Sequence, residues 1–114
     1  MNRVDARELA LWQRHGFDFE LLDVRRAAAR EREAVQIPGA RWRDPARWLD
    51  WKESVPRENP VVVYCAQGHE ISQGLAAALC AMGADARFLV DGFDGWRARG
   101  LPLSPTNAAH GEST

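Results

Sequence analysis

The segment Val61-Val-Val-Tyr64 constrains the fold of this chain more than any other. Four apolar residues in succession, the first three β-branched, leave no polar face. The segment predicts a strand covered on both sides, as at the centre of a parallel sheet. The pattern breaks at once in Cys65-Ala-Gln-Gly-His-Glu-Ile71. Beyond it Ile71, Leu75, Ala78, Leu79 and Met82 recur at helical spacing, with Gly83 as the stop and Ser72 placed as an N-cap. A buried strand, a glycine-containing turn and an amphipathic helix therefore follow one another without a break.

The flanking segments alternate in the same way. A helix is predicted over Arg7–His15, with Asp5 and Glu8 spaced as a capping box, Val4 and Leu9 as a hydrophobic staple, and Gly16 after the last turn. Phe19–Val24 reads as a buried strand and Arg26–Ala34 as a short exposed helix. Ile37-Pro-Gly-Ala40 is a turn into an extended piece, and Pro45–Lys52 a helical turn with proline at its first position. Ala86–Val90 predicts another strand and Gly95–Arg99 a short helix closed by Gly100 and Pro102. Alternating strands and helices over 114 residues imply one α/β domain with a mostly parallel sheet. The polar stretch from Ser104 to Thr114 is expected to be a flexible tail, leaving residues 1–103 as the domain.

Composition narrows the function. Lys plus Arg is 15 and Asp plus Glu 16, a net charge of −1, which argues against nucleic-acid binding by global electrostatics. No apolar run approaches the ~20 residues a membrane span needs, and the start lacks a secretory apolar core. Two cysteines make neither a disulfide scaffold nor a four-cysteine zinc site. A reducing cytoplasm is the expected compartment, and no metal or cofactor is implied.

In parallel sheets ligands gather outside the carboxyl ends of the strands, which directs attention to Cys65. A thiol there faces a helix N-terminus, whose dipole and free N–H groups favour the thiolate. Gly68 lets the loop turn back so that several amides address one centre. The alternative is an inert cysteine buried at a strand end. Cys80 lies roughly 12 Å along the helix, beyond the ~7 Å a disulfide spans, and is read as a core residue.

Four blocks together resemble the rhodanese-like (sulfurtransferase) domain family. They are Leu21-Leu-Asp-Val-Arg25, Ile37-Pro-Gly-Ala40, Val61-Val-Val-Tyr-Cys65 with its loop, and Asp91-Gly-Phe-Asp-Gly-Trp96 running to Pro102. The resemblance covers about residues 3–103. It implies a three-layer α/β sandwich around a central, mostly parallel five-stranded sheet. It also implies that Cys65 accepts a sulfane sulfur as a persulfide and passes it to a thiol, cyanide or protein acceptor. The donor would be thiosulfate or a persulfide. The loop Ala66, Gln67, Gly68, His69, Glu70 and Ile71, with Ser72, would cradle the persulfide. Asp23 and Arg25 would brace the site from behind, Arg25 paired with a carboxylate in the Arg30–Glu33 stretch, and Trp96 would be core.

The chain also departs from the family pattern. The loop Cys65–Ile71 has seven residues, one more than the common form. That length resembles cysteine phosphatases and arsenate reductases, but those end the loop with an oxyanion-clamping arginine, which Ile71 cannot replace. Glu70 brings a negative charge where relatives often carry a positive one. It would raise the thiol pKa and repel a dianion, unless it serves only the helix start. His69 is either a proton donor or a solvated loop residue. Arg41 and Trp42 are candidates for the site's rim, whereas Trp48 and Trp51, three apart, are expected to pack on the sheet. Alongside sulfur transfer stand a non-catalytic rhodanese-like binding or redox-sensing module and, more remotely, an oxyanion reductase or phosphatase.

Overall fold

The computed structural model describes residues 2–106. In chain order the elements are β1 (Arg3–Val4), α1 (Ala6–Arg14), β2 (Glu20–Asp23), α2 (Ala27–Arg32), β3 (Val35–Gln36) and β4 (Arg41–Trp42). Then come α3 (Trp48–Trp51), flanked by 3-10 turns at Pro45–Arg47 and Lys52–Ser54, β5 (Val61–Tyr64), α4 (Glu70–Ala81), β6 (Ala86–Leu89), α5 (Gly92–Ala98) and β7 (Ser104–Pro105). Five strands form one sheet in the order β1-β6-β5-β2-β4, every pairing parallel. The expected α/β architecture is the one observed. β5 occupies the centre, and all four of its residues are buried.

Alternation along the central strands splits the core into two layers. Leu21, Val62 and Tyr64 face α1 and α5, packing with Leu9, Phe93 and Trp96. Leu22, Val61 and Val63 face the other way, onto Trp51, Val55, Ala76 and Leu79. Cys65 continues the parity of Val61 and Val63, which sends its side chain to the α4 side of the sheet. Helix α1 starts as expected. Asp5 accepts from the Glu8 amide at 2.8 Å and Glu8 accepts from the Asp5 amide at 3.1 Å. Trp96 is fully buried and donates to the Pro102 carbonyl at 2.7 Å. Trp48 and Trp51 meet edge to face at 4.9 Å and pack on the sheet, as their spacing predicts.

Three sequence expectations are corrected. Residues 104–106 are not frayed: β7 pairs antiparallel with β3, and the Thr106 amide donates to Ala34. The rest of the expected tail, residues 107–114, lies outside the described residues. The segment around α2 is not wholly exposed, since Arg30 is buried with its guanidinium 5.0 Å from the Trp42 ring. Arg25 does not pair with a carboxylate of the Arg30–Glu33 stretch. Its partner is Asp23, which accepts from Nε at 3.0 Å, from Nη2 at 2.8 Å and from the Arg25 amide at 3.0 Å. The Glu33 carboxylate pairs instead with Arg97.

Asp23 and Arg25 are both buried, and Arg25 also donates to the carbonyls of Glu33 and Val35 while lying over the Phe93 ring. This ties the end of β2 to α2 and β3. Removing one partner of a buried pair strands the other's charge, at a cost of roughly 3–5 kcal/mol. Asp23→Ala should therefore lower urea-unfolding stability by about that amount, and a loss under ~1 kcal/mol would show that the pair does not brace the fold.

Candidate active site

Cys65 leaves the end of the central strand and enters a loop whose carbonyls are tied down from outside. The Phe93 amide donates to the Cys65 carbonyl at 2.9 Å, and the Asp94 amide donates to Ala66 at 2.8 Å. Gln73 Nε2 donates to the Gly68 carbonyl at 2.9 Å. With these carbonyls engaged elsewhere, loop N–H groups are free to address the sulfur. The packing leaves no space for side chains here. Gly68 has φ of +75°, and a Cβ on it would lie 2.7 Å from the Asp91 amide nitrogen. Gly92 has φ of +57°, and its Cβ would sit 2.5 Å from the Cys65 carbonyl oxygen and 2.6 Å from the Gly68 nitrogen.

Helix α4 begins at Glu70, and Ser72 lies in its first turn rather than before it. Ser72 therefore is not the N-cap its position suggested; His69 occupies that place without a side-chain cap. Ser72 is instead fully buried, with Oγ 3.2 Å from Cys65 Sγ. In the thiol the S–H donates to this oxygen; in the thiolate the hydroxyl donates to sulfur. Burial pushes the Cys65 thiol up. The Ser72 hydroxyl and the N–H groups of Ser72, Gly68 and His69 outweigh it, so the thiol sits below its ordinary value. Whatever repulsion the exposed Glu70 supplies, the net direction is down.

Cys65 borders a cavity of about 500 Å³, so its low exposure of 6% does not close it to solvent. Ala66, Gln67, His69, Glu70 and Ile71 line the loop side, and Arg25, Arg26 and Arg32 line the other. Arg41 and Trp42, expected on the rim, do not border this cavity. Trp42 Nε1 donates to the Arg25 carbonyl at 2.9 Å and its ring stacks on Arg30, so it supports α2 from behind. The cationic rim comes from Arg26 and Arg32, which the sequence reading missed. The available signal was topological: α2 follows β2, whose carboxyl end lies beside that of β5. Gln36 is buried beside Arg30, donating to the Ala40 carbonyl at 3.0 Å and accepting from the Arg30 guanidinium.

The second thiol lies apart from this loop. Cys80 is half-buried against the core, accepting from Asn2 Nδ2 at 2.9 Å and donating to the Ala86 carbonyl at 3.2 Å. Among the described residues no three His, Cys, Asp or Glu side chains gather where they could hold a metal. Among the described residues no helix is long and apolar enough to cross a membrane.

A cysteine at the end of a central parallel strand, cradled at a helix N-terminus, defines the class of site, and comparison with known proteins gives the family. The rhodanese-like domain model matches residues 5–99, and the chain belongs to that family. Solved structures share the fold. A rhodanese-related protein from Thermoplasma volcanium superposes with a TM-score of 0.78 at 18% identity, covering 90% of this chain and 97% of that one. A Rhodopseudomonas palustris protein described as a possible tyrosine phosphatase gives 0.79 at 23% identity, covering 91% and 85%. A thiosulfate sulfurtransferase from Pseudomonas aeruginosa gives 0.76 at 24% identity, with 94% of this chain matching 20% of that larger one.

Three outcomes follow. In a Cys80→Ser background, alkylation of Cys65 by iodoacetamide should rise with pH through a midpoint below that of an ordinary thiol and then level off. Ser72→Ala should move that midpoint upward, because the neutral thiol loses less than the thiolate does; an unmoved midpoint would remove Ser72 from the cradle. Gly92→Ala should displace the loop and slow the same alkylation severalfold, read alongside circular dichroism to separate loop displacement from unfolding.

Proposed function

We propose that the chain is a sulfurtransferase or persulfide carrier working through Cys65. One observation carries the reading: a buried, low-pKa thiol receives a hydroxyl and several backbone N–H groups at the wall of an arginine-lined cavity. Such a thiolate is a nucleophile, and the same donors suit the anion formed on it. Its attack on the outer sulfur of thiosulfate forms a Cys65 S–S bond and breaks the donor's. Sulfite leaves with the electron pair. The terminal sulfur of the resulting persulfide anion stays against the loop amides. A thiolate, cyanide or a protein acceptor then attacks that sulfur, and Cys65 departs as the thiolate it began as. Asp23 and Arg25 position the loop and α2, and no cofactor enters either half-reaction.

Two free cysteines suit a reducing cytoplasm, where the cycle would be kept supplied with thiols. A phosphatase or oxyanion-reductase cycle is less well served. Ile71 stands where a clamping guanidinium would be needed, and Arg25 is committed to Asp23. A role limited to binding or redox sensing would leave Cys65 unloaded by every sulfane donor.

Intact mass after incubation with thiosulfate or an organic persulfide should show one added sulfur per chain. The addition should vanish in Cys65→Ser and persist in Cys80→Ser. Uptake that survives Cys65→Ser, or wild type that never loads, would overturn the proposal. Glu70→Arg should raise kcat/KM for thiosulfate severalfold, with the gain fading as salt rises; no gain would show that charge repulsion at the loop does not limit this donor.

A further inference from the structure

The layer of α1 and α5, across the sheet from the Cys65 side chain, carries a concave surface of its own. A cavity of about 400 Å³ lies between α1 and the turn that follows α5, and it shares no lining residue with the cavity at Cys65. Arg7, Ala10, Leu11 and Arg14 line it from α1, and Arg99 and Leu101 from the turn. The α1 residues stand at i, i+3, i+4 and i+7, one stripe of the helix, beside the Ala6 and Leu9 side that enters the core. The opposing wall is fixed by the way α5 stops. Gly100 has φ of +70°, its amide donates to the Arg97 carbonyl at 2.9 Å, and the Leu101 amide donates to the Trp96 carbonyl at 3.4 Å. These paired bonds close a helix through one left-handed residue and hold the chain beyond it in place. Ala10 and Leu101 both pack against the core, so the floor between the walls is apolar and anchored.

Charge on this surface has one sign. Arg7, Arg14 and Arg99 are exposed, and among the described residues none of them joins an ion pair and no carboxylate lines the cavity. The acids at the start of α1, Asp5 and Glu8, are engaged with each other's amides in the capping box. Arg7 and Arg14 are ~10 Å apart along the helix at 1.5 Å per residue, and Leu11, 41% exposed, stands between them. Cations so separated do not converge on one compact anion. They suit carboxylates placed on either side of an apolar side chain, and an extended peptide spaces residues i and i+3 by ~10 Å.

We infer that this hollow is a docking surface for an acidic segment of a partner protein, one whose apolar side chains are flanked by Asp or Glu. The apolar side chains cover Leu11, Ala10 and Leu101, and the flanking carboxylates pair with Arg7, Arg14 and Arg99. A partner held here leaves the cavity at Cys65 open. The inference does not depend on the sulfur-transfer reading.

The probe is the blocked peptide Glu-Glu-Leu-Leu-Glu-Glu, titrated into isotope-labelled protein and followed by amide shifts and calorimetry. Shifts should gather on α1 and on Arg99–Leu101, shrink as salt rises, and be lost with the peptide in which glutamine replaces glutamate. Arg14→Glu combined with Arg99→Glu should weaken binding by at least about tenfold, and Leu11→Ser should weaken it severalfold. All three side chains are exposed, so both variants should keep the wild-type rate of Cys65 alkylation. No binding, binding unchanged by the double reversal, or shifts confined to the Cys65 loop with its Arg26 and Arg32 rim would overturn the docking surface and leave sulfur transfer standing. So would a protein that ignores the peptide but sediments with phosphatidylserine vesicles until Arg14 and Arg99 are reversed, which would assign the surface to an anionic membrane.

Discussion

The site depends on where the carbonyls of one short loop point. A loop that curls around a sulfur offers it either N–H groups or C=O groups, and only the former stabilise an anion. Here the choice is made from outside. The first amides of α5 capture the carbonyls of Cys65 and Ala66, and Gln73 captures that of Gly68. The contact is so close that the two glycines facing each other across it, Gly68 and Gly92, leave no room for a Cβ on either. A segment of sequence more than twenty residues from the cysteine therefore sets the electrostatics around the sulfur.

The second constraint is charge taken out of water. Asp23 and Arg25 are buried together, and burial of such a pair costs energy that only dense hydrogen bonding offsets. Asp23 receives three donors from Arg25, and Arg25 reaches two further carbonyls. What the fold obtains in return is position. The pair joins the end of β2 to the chain around α2, where Arg26 just before the helix and Arg32 at its end place their guanidinium groups at the cavity opposite the thiol. The Trp42 ring, stacked on Arg30 and bonded to the Arg25 carbonyl, holds the same segment from the other side.

Much of this was legible in the sequence where a local rule governs. The doubly buried strand Val61–Tyr64, the Asp5–Glu8 capping box and the thiol at the strand end each follow from adjacent residues. The errors fall where tertiary structure overrides a local rule. Ser72 reads as a cap because serine near a helix start usually is one. Its real position was decided by the loop's ties to α5, which let the helix begin at Glu70 and turn Ser72 inward to the sulfur. The β3–β7 ribbon has two residues in each strand and a proline in one, too short for any periodicity to show. Arg41 and Trp42 looked like rim residues because the chain passes near the site. Their placement depends on which side of α2 they take, and residue type does not encode that.

The central claim is that Cys65 carries sulfur as an anion held by the loop's N–H groups and the Ser72 hydroxyl. Its most direct measurement is a crystal structure of the protein after treatment with a sulfane donor. The account requires one extra atom bonded to Cys65 Sγ, lying within hydrogen-bond distance of amides from the Gly68–Ser72 turn, with Cys80 unmodified. Density for the added sulfur on Cys80, or on Cys65 but turned away from those amides, would contradict it.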